Sequence, residues 1–138
     1  MFAPNDEALV VVRQWVDKAE HDLQAASHLL KLGETCPTDV VCFHAQQCVE
    51  KYLKALLVLR NVEFSRIHHL SVLIERLPAD IRIDLTPEEQ ERLTDYAVTA
   101  RYPGDYDPIP LSEAQEAVET ARRARRQARR YLPRIALQ

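Results

Sequence analysis

Glycine is nearly missing from this 138-residue chain: only Gly33 and Gly104 occur, against long runs of Ala, Leu, Glu, Gln and Arg. So few sites for positive-φ turns, among so many good helix formers, exclude a hairpin-rich β architecture and favour helices. Cysteine is scarce and odd in number. Cys36, Cys42 and Cys48 show neither the close pairs nor the His partners of a zinc site, and three thiols cannot form a closed disulfide framework. Cys42 and Cys48 fall in an expected helix, where a thiol acts as a small hydrophobe, and Cys36 falls in a loop. No stretch approaches the roughly 18 uninterrupted apolar residues of a membrane span. The opening MFAPNDEALVVVRQW has neither a basic n-region nor a small-residue cleavage site, so a cytoplasmic protein without membrane contact is expected. Walker, GxGxxG, HExxH, GxSxG and paired-carboxylate motifs are all missing, and the sequence points to no metal and no cofactor.

What is present fits a globular domain: 46% hydrophobic and 28% charged residues. A chain of this length can remove roughly two-thirds of its unfolded surface from water, so residues 1–138 are expected to form a single domain. The formal net charge of −3 conceals a segregation. Residues 122–134 hold seven Arg and no acid, and the remainder holds 11 Lys and Arg against 21 Asp and Glu, a formal −10.

Hydrophobic spacing predicts a helix from about Glu7 to Leu32, with Asn5 or Asp6 as N-cap and Gly33 as its stop. Its seam is Leu9, Val12, Val16, Ala19, Leu23, Ala26 and Leu30, in steps of three and four. After the loop GETCPTD, Asp39 or Thr38 should cap a second helix reaching about Arg60, with Asn61 as a left-handed stop. There Val41, Ala45, Cys48, Tyr52, Ala55 and Leu59 make one seam, and Phe43, Val49, Leu53, Leu56 and Leu57 spread apolar surface around the rest. A helix apolar nearly all round is the central one of its domain or lies at an oligomer interface. A short helix is expected over Leu70 to Leu77. Thr86-Pro87-Glu88-Glu89 opens a fourth helix with a capping box and Pro at its first position, ending near Arg101 before Pro103. Ser112 with Gln115 suggests a second capping box, for a fifth helix to about Leu132 with the seam Ala114, Ala117, Ala121, Ala124, Ala128 and Tyr131. The prediction is an all-α, antiparallel up-and-down bundle of four long helices plus one short helix.

Four groups of residues could carry chemistry. His44, Gln47, Lys51 and Lys54 fall within about an 80° wedge of the second helix at 100° per residue. They present donors to an anion, or else they form the helix's solvated face. Arg66, His68 and His69 precede the short helix, where adjacent histidines suit acid–base chemistry or metal binding, although two neighbours rarely ligate one ion together, or else His69 simply caps the helix. Arg101 and Tyr102 beside a Pro-Gly turn suit phosphate contact and base stacking, or else serve the helix dipole and loop packing. Arg122, Arg123, Arg125, Arg126, Arg129 and Arg130 suggest nucleic acid or an acidic partner. Ordinary dipole placement and pairing with Glu119 compete as explanations.

Taken together, Cys42-Phe43-His44-Ala45-Gln46-Gln47-Cys48-Val49-Glu50-Lys51-Tyr52-Leu53-Lys54-Ala55-Leu56-Leu57, Arg66-Ile67-His68-His69-Leu70 and Arg101-Tyr102-Pro103 resemble the HEPN domain family (higher eukaryotes and prokaryotes nucleotide-binding), over roughly residues 9–132. The resemblance implies a helical bundle that commonly forms homodimers and binds nucleotides or RNA. It also implies frequent pairing with a minimal nucleotidyltransferase as a toxin–antitoxin couple. Many relatives are metal-independent ribonucleases with an Arg-x(4–6)-His motif. Here Arg60 and His68 are separated by seven residues, Arg66 and His68 by one, and no His follows Arg101. The usual ribonuclease motif is therefore absent, and ribonuclease activity with a displaced Arg–His pair (Arg66 or Arg101 with His68) stands as an alternative. A non-catalytic dimerisation or interaction module is the other. Carried over by position, Lys51, Lys54 and Arg101 would hold phosphate, Tyr102 would stack, His68 would donate a hydrogen bond, and His44 and Gln47 would position.

Overall fold

The structure, a computed structural model, describes residues 5–99, 103–104 and 107–138. Among these the regular elements are all helical: α1 (Asp6–Leu30), α2 (Thr38–Leu59), α3 (Leu70–Glu75), α4 (Pro87–Thr99) and α5 (Leu111–Arg129), with short 3₁₀ helices at Gly33–Thr35 and Arg134–Leu137. The two 3₁₀ segments are additions to the expected pattern. One follows α1 and the other follows α5 after a short gap, as 3₁₀ connectors commonly do.

Local chemistry accounts for several boundaries. Asn5 caps α1 by accepting the Ala8 N–H at 2.7 Å. At the end of α2, Asn61 adopts φ 57°. There the Val62 N–H reaches the Leu57 carbonyl and the Asn61 N–H reaches that of Val58, a Schellman closure. The Thr86–Glu89 capping box forms reciprocally, at 2.9 and 3.1 Å. Two expected caps do not form. Helix α2 begins after Pro37 without a side-chain cap, and Thr38 turns its hydroxyl to the Ile109 carbonyl instead, at 2.7 Å. Helix α5 begins at Leu111 after Pro110, whose carbonyl takes the Glu113 and Ala114 N–H groups, so Ser112 lies inside the helix. In both cases a proline with preset φ supplies the entry that a polar cap would otherwise make. The expected end of α4 near Arg101 lies outside the described residues.

Cross-helix contacts give the directions. Asp22 meets Lys51 while Trp15 meets Lys54, so α2 runs against α1. Ser27 meets Arg122 and Glu20 meets Arg125, so α5 also runs against α1. Glu89 meets Arg123 and Tyr96 meets Glu113, so α4 runs against α5. This is an up-and-down bundle, with α3 inserted between α2 and α4. Fourteen of the 22 residues of α2 are buried, which makes it the central helix, packed on α1, α3, α4 and α5. The alanine seam of α5 is buried from Ala114 to Ala128, as the small-residue spacing predicts. Cys42 and Cys48 are sealed in this core; burial pushes the Cys42 thiol up to about 12 and raises Cys48 as well, so both remain inert thiols. No helix among the described residues is long and apolar enough to cross a membrane.

Candidate functional site

The polar stripe of α2 does not open to solvent as a row of free cations. Each of its lysines meets a carboxylate. Lys51 Nζ donates to Asp22 Oδ2 of α1 at 2.6 Å, and His44 Nδ1 donates to Asp22 Oδ1 at 2.8 Å. One turn further along α2, Lys54 Nζ donates to Glu50 Oε2 at 3.0 Å. Gln46 Nε2 donates to Glu50 Oε1 at 2.9 Å, and Gln47 Nε2 donates to Gln46 Oε1 at 2.7 Å. Lys54 is 5% exposed and lies over the rings of Trp15 and Phe64, 5.4 and 5.7 Å from their centroids. A cation so enclosed has satisfied partners and little open side for a phosphate.

His68 joins this buried pair from above. Its Nδ1 lies 3.3 Å from Glu50 Oε2 and 3.4 Å from Lys54 Nζ, while the side chain as a whole is 71% exposed. The imidazole is therefore anchored at one nitrogen and open at the other. His69 occupies the N-cap position of α3 and shares a 2.9 Å hydrogen bond with the Ser71 hydroxyl. The first amide of α3, Leu70 N–H, donates to Thr94 Oγ1 at 3.3 Å and ties the His-His loop to α4. Arg66 is exposed, with left-handed backbone at φ 61°.

Between these parts runs a groove of about 430 Å³ lined by Gln47, Glu50, His68, His69, Thr94, Ala97 and Val98. It brings the α2 stripe and the His-His loop onto one surface with the C-terminal turns of α4. Arg101 and Tyr102, which follow α4 in the chain, lie outside the described residues. Among the described residues, no three His, Cys, Asp or Glu side chains converge as a metal site requires.

The arginine-rich helix is largely turned to internal use. Arg125 clamps both oxygens of Glu20 at 2.8 Å, and Tyr52 donates its hydroxyl to the same carboxylate. Arg129 donates to the Tyr52 hydroxyl at 3.1 Å. Burial would raise the Glu20 pKa, but the Arg125 guanidinium and the Tyr52 hydroxyl outweigh it and hold the carboxyl below its ordinary 4.5. Arg123 pairs with Glu89, and Arg122 reaches Ser27 and Glu119. Arg126 sits 4.0 Å from Glu119 with more than half its side chain exposed, and Arg130 is exposed.

Asp22, Gln46, Glu50, Trp15, Phe64 and Thr94 complete the site although none of them is among its sequence-predicted residues. One sign of Asp22 was available: it lies three residues after Ala19 and four before Ala26, so it flanks the apolar seam of α1. An acid at such a position needs a buried cation.

Comparison with known proteins agrees with this architecture. The description of the HEPN domain matches residues 12–131. A curated protein of Methanocaldococcus jannaschii named "Putative toxin MJ1304" is 34% identical over 100 residues, covering 67% of this chain and 63% of that protein. The chain thus spans less than two-thirds of the length of the curated relative it matches. A crystal structure of TT1696 from Thermus thermophilus superposes with a TM-score of 0.70 at 30% identity, covering 88% of this chain and 98% of that one. ST0689, described as an archaeal HEPN homologue, gives a TM-score of 0.66 at 30% identity, with 86% and 94% covered.

Proposed function

This chain belongs to the HEPN domain family, and from that membership we propose that it is a cytoplasmic nucleotide- or RNA-binding protein. In this reading it is the HEPN component of a toxin–antitoxin-like pair with a minimal nucleotidyltransferase, and it works as a homodimer of single-domain subunits. The observation that carries the binding reading is the groove. It gathers an exposed imidazole, a second histidine and a polar α2 face beside α4, and in the sequence Arg101 and Tyr102 follow the last residue of α4 by two and three positions. The name of the M. jannaschii relative supports the toxin-like part.

Within this reading, Arg101 supplies the main cation for phosphate and Tyr102 a face for stacking. Lys51, about one-fifth exposed and shared with Asp22, adds a weaker cationic contact. Lys54 acts from beneath, through Glu50 and His68. His44 and Gln47 position the α2 face by their hydrogen bonds to Asp22 and Gln46. Titration of the purified protein with nucleotides and short RNAs tests this. Binding in the micromolar range that weakens in a Lys51→Ala, Arg101→Ala double variant is expected; unchanged affinity in that variant would remove the site assignment.

The exposed His68 beside the Glu50 carboxylate favours one further reading, a metal-independent ribonuclease in which His68 works with Arg66 or Arg101. Cleavage would then survive EDTA and leave 2′,3′-cyclic phosphate ends, since attack by the 2′-hydroxyl needs only acid–base assistance. No cleavage of single-stranded or structured RNA at high protein concentration would exclude it.

A further inference from the structure

Glu50 and Lys54 lie one turn apart on α2, both buried, and His68 rests on the pair through Nδ1. The protonation of that nitrogen can be read from the hydrogen-bond inventory around it. An ammonium has three N–H donors, a carboxylate about four acceptor sites, and a neutral imidazole one donor and one acceptor. Lys54 donates to Glu50 Oε2, lies over the rings of Trp15 and Phe64, and has His68 Nδ1 3.4 Å away. Glu50 receives Gln46 at one oxygen and Lys54 at the other, and the second acceptor site of Oε2 is left facing His68 Nδ1 at 3.3 Å. Nδ1 therefore faces two neighbours, a carboxylate oxygen that can accept its N–H at 3.3 Å and an ammonium that can donate to its lone pair at 3.4 Å; the carboxylate is the nearer, and its negative charge favours a ring N–H.

The Asp22 unit repeats the arrangement without the competing choice. There a carboxylate takes a lysine on one oxygen at 2.6 Å and a histidine Nδ1 on the other at 2.8 Å. A carboxylate only accepts, so His44 carries its proton on Nδ1.

From these contacts we infer that Glu50 is a positioning residue that holds His68 in the tautomer protonated at Nδ1, leaving Nε2 as an exposed lone pair. Lys54 and Gln46 hold the carboxylate in place for that purpose. Because the ring is 71% exposed with Nδ1 turned inward, Nε2 is the nitrogen offered to a ligand. Where the family resemblance implies a hydrogen-bond donor at His68, this tautomer makes its exposed nitrogen an acceptor. The consequence rests on the nucleotide-binding proposal. His68 takes a hydrogen bond from a hydroxyl or amino group of the ligand, and phosphate, which offers only acceptors, is left to the cations.

The test begins on the ligand-free protein. Long-range nitrogen–proton NMR of labelled histidine, at about pH 8.5 and so well above the ordinary histidine range near 6.5, should show the His68 proton on Nδ1. A proton on Nε2 overturns the inference. In Glu50→Gln the amide oxygen can serve Lys54 while the amide N–H turns to Nδ1, so the proton should move to Nε2; an unmoved proton overturns the role of Glu50. Should that variant not fold, the wild-type spectrum still decides the tautomer. Binding then reads the consequence. With a single-stranded RNA probe, His68→Ala should weaken affinity about tenfold, the order of one hydrogen bond, without changing the slope of log affinity against log salt. A slope reduced by about one would mark a phosphate contact and overturn the acceptor role. Absence of RNA binding altogether would remove the nucleotide reading and the ligand half of this inference, with the tautomer still read independently.

Discussion

Two carboxylate-centred units sit along the same helix, each built from a carboxylate, a lysine and a histidine, in opposite arrangements. In the Asp22 unit the acid comes from α1, and both basic partners, His44 and Lys51, lie on α2, each between one-fifth and one-third exposed. In the Glu50 unit acid and lysine both lie on α2 and are 6% exposed, while the histidine comes from the following loop and stands mostly in solvent. The first ties two helices together. The second presents a single imidazole from a closed ionic base. The difference teaches that a lysine in a polar stripe can be a surface cation or the foundation of another group, depending on which neighbours cover it.

Lys54→Ala should be the most damaging change to this contrast. It leaves the buried Glu50 without its ammonium, and loss of one partner of a buried pair costs about 3–5 kcal/mol. Chemical denaturation should show this as a lowered midpoint, with Glu50→Leu, Lys54→Met recovering much of the loss because no buried charge remains. Lys51→Ala should cost less, about 1–2 kcal/mol, since water reaches its site and screens Asp22. Equal losses in the two lysine variants would erase the distinction between the units.

The Glu20 cluster offers a third carboxylate for comparison, now held by arginines and with a resolved titration. Its folded pKa lies below 4.5, so its stabilising contribution is present above pH 4.5 and is lost as the pH falls through the folded value. Glu20→Gln should therefore be less stable than the parent at neutral pH, by about 1–2 kcal/mol. The gap should narrow below pH 4.5, as measured by denaturation at a series of pH values. A gap that stays constant with pH would mean that the carboxylate's charge is not what Arg125 stabilises. The smallest effect is expected at His68→Ala, within about 0.5 kcal/mol of the parent in stability because the side chain is exposed. A larger loss would show that His68 belongs to the fold of the Glu50 unit rather than standing on it.

Much of the framework was legible in the residues. The unbroken apolar surface of α2 announced a central helix, the alanine spacing of α5 announced a close-packed one, and Asn5, Asn61 and Thr86 marked boundaries that form with the expected hydrogen bonds. The expected caps at Thr38 and Ser112 do not form, because short-range pattern cannot show that Ile109 will claim the Thr38 hydroxyl, or that Pro110 will open α5 by itself. The candidate site was legible only as a set of basic and polar side chains. Its acids were not, since Asp22 and Lys51 are 29 residues apart and nothing local links them.

The polar stripe of α2 is a fair measure of the division. By itself the sequence determined that His44, Gln47, Lys51 and Lys54 share one face of a helix, because a 3.6-residue period places them there whatever surrounds them. It determined likewise the all-helical class and the family. Only the tertiary structure decided that Lys51 leans on Asp22, that Lys54 is closed beneath Trp15 and Phe64, and that the arginines of α5 serve Glu20 and Tyr52 before any partner. The reason is physical: helical periodicity is a property of neighbouring residues, whereas the partner and burial of a charge are settled by segments that meet only when the bundle closes.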